Sequence, residues 1–128
     1  MSKKIAIGGS MKFRDLIKET IKKLDDLGYT ALFPNLDYSP ENKDVALTVE
    51  EKNKLARDHY KAVEEADAVY FILPEGYIGT SCKIELGYAL VLKKPIYFSE
   101  PTNDIAIDGY PEKIISLDNL GEFKNEFD

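Results

Sequence analysis

The run Ala-Val-Tyr-Phe-Ile-Leu at residues 68–73, stopped by Pro74, constrains this chain more than any other stretch. An unbroken apolar segment rich in β-branched and aromatic residues, ended by a proline, is a buried strand. Gly76 and Gly79 then permit backbone conformations closed to other residues, and Thr80 or Ser81 is placed to cap the helix that follows. In that helix Cys82, Leu86, Ala89 and Leu90 recur at spacings of three and four, which marks the buried stripe, and Glu85 lies within it. A capping box would account for an acid there, but the residue three before Glu85 is Cys82 and not Ser or Thr. Two readings stay open for Glu85. It is an early-helix acid favoured by the helix dipole, or a carboxylate set beside an anion-binding helix start for chemistry.

The same strand, glycine turn, helix order occurs at the beginning of the chain. Residues 4–7 are a short apolar strand ending at Gly8-Gly9-Ser10, followed by Phe13, Leu16, Ile17, Ile21, Leu24 and Leu27 at helical spacing and closed by Gly28. Such a turn directs backbone N–H groups at a phosphate, with Lys12 and Arg14 nearby to add charge. It also serves any tight strand-to-helix connection, and the full Gly-x-Gly-x-x-Gly fingerprint is absent. Residues 29–33 read as a second strand stopped by Pro34, and the polar, proline-bearing residues 35–44 as a loop, either a plain connection or a lid.

Thr48-Val49-Glu50-Glu51 is a capping box that starts a helix running to about Ala66, with Leu55, Ala56, Tyr60 and Val63 on its inner face. His59 sits beside that face, open to a structural or a catalytic reading, and Asp58 points more outward. Residues 95–99 form a fourth strand and 113–117 a fifth, separated by a loop, and Asp118 is placed to cap a short terminal helix containing Leu120, Phe123 and Phe127. Strands alternating with helices imply a parallel sheet covered on both faces, with ligands beyond the carboxyl ends of its strands. The loops at 8–12 and 74–81 both open there, so two separate stretches converge on one site.

Composition narrows the function. A length of 128 residues with 44% hydrophobic content suits one domain with a real core. The net charge of −6, with lysines scattered among acids, argues against a nucleic-acid surface. One cysteine excludes an internal disulfide, and one cysteine with one histidine cannot build a four-ligand zinc site, so no metal is expected. No apolar run approaches ~20 residues and no signal-peptide h-region precedes the first strand, so a cytoplasmic protein without membrane contact is expected.

Gly8-Gly9-Ser10 after the first strand, Glu64-Glu65-Ala66-Asp67 before the third, and above all Gly79-Thr80 with Glu85-Leu86-Gly87-Tyr88-Ala89 resemble the nucleoside 2-deoxyribosyltransferase family. That family includes the 2'-deoxynucleoside 5'-monophosphate N-glycosidases. The similarity runs over nearly the whole chain. It implies a flavodoxin-like (Rossmann-like) three-layer fold with five parallel strands in the order 2-1-3-4-5, in a single domain over residues 1–128. It further implies cleavage of the bond between base and sugar in a nucleoside or nucleotide, no cofactor, and a homodimer or higher homo-oligomer. Glu85 matches the family's nucleophile, which must be ionised to attack the anomeric carbon, and the helix start would help keep it so. Gly8, Gly9, Ser10, Lys12, Asp58, Gly79, Thr80 and Ser81 would bind the substrate.

Three positions depart from the pattern. His59 stands where the family carries an aspartate eight residues ahead of Asp67, with Asp58 one residue earlier, and a histidine can act as an acid near neutral pH. Gly79 stands where the transferases have an aspartate and the nucleotide hydrolases a phosphate-binding serine. Ile5, Ala6 and Ile7 leave the first strand without the family's aromatic residue. Gly-Gly-Ser and Gly-Thr-Ser at two helix starts favour a 5'-phosphorylated ligand. The alternatives are a non-catalytic nucleotide-binding module on the same fold and, less well supported, a flavodoxin-like electron carrier.

Overall fold

The computed structural model describes residues 2–36 and 48–127. Five strands form one parallel sheet: β1 (Lys4–Gly8), β2 (Thr30–Leu32), β3 (Ala68–Phe71), β4 (Ile96–Phe98) and β5 (Lys113–Ile114). Their spatial order is β2-β1-β3-β4-β5, as the resemblance implies. Alternation along each strand sends side chains to opposite faces and so builds two cores. Ile5, Ile7, Tyr70, Ile72 and Tyr97 pack with Ile17 and Leu24 of α1 (Arg14–Asp26) and with Leu120 and Phe123 near the end of the chain. Ala6, Val69, Phe71, Leu73, Ile96 and Phe98 pack against Val63 of α2 (Val49–Glu65) and against Cys82, Leu86 and Ala89 of α3 (Thr80–Val91). Helices therefore cover both faces of the sheet.

β1 and β3 are in register from Ile5 opposite Ala68 to Gly8 opposite Phe71, so the chain leaves both strands at the same end of the sheet. That pairing brings the two glycine loops together. Gly28 ends the first helical segment at φ 95°, a left-handed conformation that glycine adopts without strain, and the Glu51 N–H donates to Thr48 Oγ1 at 3.0 Å to cap α2.

Several elements differ from the sequence reading in extent. β3 leaves the ladder after Phe71, although Ile72 and Leu73 stay buried, with the Leu73 N–H donating to Ser99 Oγ at 2.8 Å. The side chain of Ser99 replaces a ladder bond there. β5 ends at Ile114 instead of residue 117, because Ser116 caps a 3-10 helix over Leu117–Glu122 by accepting from Asp118 N at 3.1 Å. Asp118 is thus the donor and not the cap, and only Phe123–Glu126 is α-helical (α5). The loop after β4 holds one further short helix, α4 (Ile105–Asp108), capped by Asp104. Neither Thr80 nor Ser81 caps α3. Gly79 is its N-cap, and it brings no side chain to do so. Most of the polar segment read as loop or lid, residues 37–47, lies outside the described residues.

Candidate active site

At the carboxyl end of the sheet, the loops after β1 and β3, the end of β2 and the facing sides of α2 and α3 enclose a cavity of about 640 Å³. Gly9, Ser10, Lys12, Gly79, Thr80, Ser81, His59 and Glu85 all line it. Two stretches distant in sequence meet there, as the strand order requires.

Glu85 is 8% exposed and lies between Cys82 and Ala89 on the buried stripe of α3. Its Oε1 is 3.9 Å from His59 Nδ1. Burial pushes the Glu85 carboxyl up to about 7, opposed by the positive charge of Lys52, which also lines the cavity. Glu85 is the sixth residue of α3, beyond the first turn, where the helix start has little hold on it. At Glu85 desolvation therefore outweighs the helix dipole, with Lys52 opposing it. His59 is also displaced from its ordinary value: burial first, then Lys52, lower it to about 4. At neutral pH it is an uncharged imidazole, and not the acid that the sequence suggested. Phe33 packs edge-on against the ring, with centroids 4.7 Å apart, and so fixes its plane.

Cys82 closes the space between the two loops. Burial first, then the nearby Glu85, push its thiol up to about 12, against a lowering contribution from the backbone of Gly79 and Gly9. The thiol therefore stays protonated and is no nucleophile. It lines the cavity beside Gly9 of one loop and Gly79 of the other.

Two predicted residues stand outside the cavity lining. Gly8 is a packing glycine: a Cβ there would meet Phe71 Cδ1 at 2.4 Å. Asp58 accepts from Asn35 Nδ2 at 2.7 Å and from Lys54 Nζ at 3.1 Å. It holds Asn35, which does line the cavity, and its own carboxylate is satisfied outside. The Asn35 hydrogen bond is the main cause that lowers its pKa, with Lys54 next.

No protein-family model and no curated protein matches the chain. Solved structures do. A 2-deoxyribosyltransferase from Bacillus psychrosaccharolyticus superposes with a TM-score of 0.63 at 22% identity, covering 91% of this chain and 89% of that one. The chain has the fold of a 2-deoxyribosyltransferase. A conserved protein from Enterococcus faecalis V583 gives 0.62 at 14% identity over 96% of this chain and 99% of its own. A CMP N-glycosidase from Clostridium botulinum gives 0.59 at 16% identity over 98% and 99%. At these identities the likeness is one of fold.

On this deoxyribosyltransferase fold, several cavity residues escaped the sequence reading as site residues, among them Lys52, Phe33 and Tyr77. Lys52 was legible, because it precedes His59 by seven residues, two helical turns, on the same side of α2. Phe33 and Tyr77 carry no such periodic signal, since each lies in a connection after a strand. Lys12, predicted as a phosphate ligand, places its Nζ 3.5 Å from the centroid of the Tyr77 ring. Among the described residues no group of His, Cys, Asp and Glu could hold a metal ion, and no helix is long and apolar enough to cross a membrane.

Proposed function

We propose that this protein cleaves the N-glycosidic bond of a nucleoside or nucleoside 5'-monophosphate, with Glu85 as nucleophile. The observation that carries the reading is Glu85 itself: a buried carboxylate beside His59, on the wall of a cavity where both glycine loops meet. The two neighbours with named activities, a 2-deoxyribosyltransferase and a CMP N-glycosidase, support this class of bond. In the proposed step the ionised Glu85 attacks the anomeric carbon as the carbon–nitrogen bond breaks, and the electron pair leaves with the base nitrogen. The glycosyl ester is then released by water or a second base. His59, neutral, offers one N–H and one acceptor to hold the sugar or the carboxylate. Lys52 favours the ionised form of Glu85.

The reading includes a single domain over residues 1–128, a homodimer and a cytoplasmic location. It is tested by incubating the protein with ribo- and deoxyribonucleosides and their 5'-monophosphates and following free base by chromatography. Base release is expected from one substrate class, rising through pH about 7 as Glu85 ionises and lost by a factor of ~10³ or more in Glu85→Ala. Tight nucleotide binding without release would replace this reading by the non-catalytic binding module.

A further inference from the structure

We infer that His59 selects ribose over 2-deoxyribose at this site, by holding the 2'-hydroxyl of the sugar jointly with Glu85. The inference rests on the reading of Glu85 as the nucleophile and names the sugar on which it acts. In a β-nucleoside the base stands on one face of the sugar ring and the 2'-hydroxyl on the other. A carboxylate that displaces the base reaches the anomeric carbon from the face opposite the leaving group, which is the face bearing the 2'-hydroxyl. The 2' carbon is bonded to the anomeric carbon, so whatever flanks the Glu85 carboxylate also meets the 2' position. A polar group there favours ribose, and an apolar one 2-deoxyribose.

His59 is that flanking group. From α2 it reaches across to α3, with its Nδ1 3.9 Å from Glu85 Oε1, and both residues line the cavity. The two side chains are only 15% and 11% exposed, so little bulk water competes for them. Their separation is too long for a hydrogen bond between them, yet one oxygen set beside the line joining them lies within about 2.8–2.9 Å of both. A hydroxyl suits that gap: it donates to the ionised carboxylate, which can only accept, and accepts from the imidazole N–H. Burial keeps the ring uncharged at neutral pH, so no strong ion pair draws the two groups together and closes the gap. Phe33, edge-on to the ring, holds it in place. A 2'-methylene would instead set carbon against two polar groups where water is scarce, and that costs binding. The side on which Nδ1 lies also separates His59 from the base, which departs from the opposite face of the sugar.

The test compares matched pairs of ribo- and 2'-deoxyribonucleosides, and of their 5'-monophosphates, by kcat/KM for base release within each pair. The native protein is expected to favour the ribo member by about 100-fold or more. His59→Phe keeps a ring against Phe33 and removes both nitrogens, and it should cut the ribo-to-deoxy ratio by about tenfold or more. His59→Asn, whose amide restores a donor near the place of Nδ1, should retain more of the ratio than His59→Phe. A merely structural residue would lower both rates alike and leave the ratio where it was. Where a protein releases no base, the same pairs are titrated calorimetrically and their affinities compared. A native ratio near one or below it, or a ratio unchanged in His59→Phe, overturns the selection by His59, while Glu85-dependent base release in the same assay leaves the glycosidase reading standing. Tighter binding of the ribo members, lost in His59→Phe, with no base released by the native protein would do the reverse. Equal affinities and no release would sink both.

Discussion

Glu85 and His59 face each other with opposite shifts from one cause, desolvation, and that pairing has a signature in stability. The Glu85 carboxyl is raised from 4.5 to about 7 in the folded chain. Below the unfolded value both states hold the proton and nothing is lost. As pH rises past it the unfolded chain ionises first, and the penalty grows until about pH 7, reaching about 3 kcal/mol. Glu85→Gln removes that penalty. We therefore expect the variant to exceed the native protein in stability by about 2 kcal/mol at pH 8, with the difference fading towards pH 4, as read by urea unfolding across pH. A constant difference would mean that Glu85 is not desolvated. His59 works the other way: its pKa falls from 6.5 to about 4, so stability is lost as pH drops through that interval. The site is thus bought with stability on both sides of mildly acidic pH.

At the scale of elements, the site depends on how closely β1 and β3 approach at their carboxyl ends. Gly8 faces Phe71 across the pair, and Phe71 packs at right angles on Phe98 of β4, with centroids 5.7 Å apart. Gly8→Ala would press a methyl group to 2.4 Å from a fully buried ring. The expected cost is about 1–3 kcal/mol, seen as a melting temperature lower by roughly 5 °C or more. An unchanged melting temperature would show that Phe71 has room to move. That glycine looked like a ligand residue in the sequence because a glycine turn for phosphate and a glycine turn for packing read alike. Only the neighbouring strand tells them apart.

The whole molecule divides its work between the two faces of the sheet. The face under α2 and α3 carries the site, and the other is sealed by α1 and the chain's last elements. Phe123 meets Tyr70 at 5.1 Å and Tyr97 at 5.2 Å, and Leu120 lies beside it in the same core. Burying those two side chains contributes roughly 3–6 kcal/mol, a large share of the ~5–15 kcal/mol that holds a domain together. A chain ending at Ser116 should therefore lose at least half of its urea midpoint, although no site residue is removed. A midpoint within the error of the native protein would show that the face seals without them.

The five strands, the three long helices and the place of Glu85 on the buried stripe of α3 were legible in the sequence alone, while α4 and the early end of β5 were not. Hydrophobic periodicity and the breakers Gly28, Pro34 and Pro74 act within a few residues of themselves, so they can be read locally. Tertiary structure decided the rest: the raised Glu85 carboxyl, the uncharged His59, the buried and protonated Cys82 thiol, and the Lys12 ammonium over Tyr77. Those properties come from desolvation and from charges on segments far apart in the chain. They exist only once the elements pack, and no local pattern encodes them.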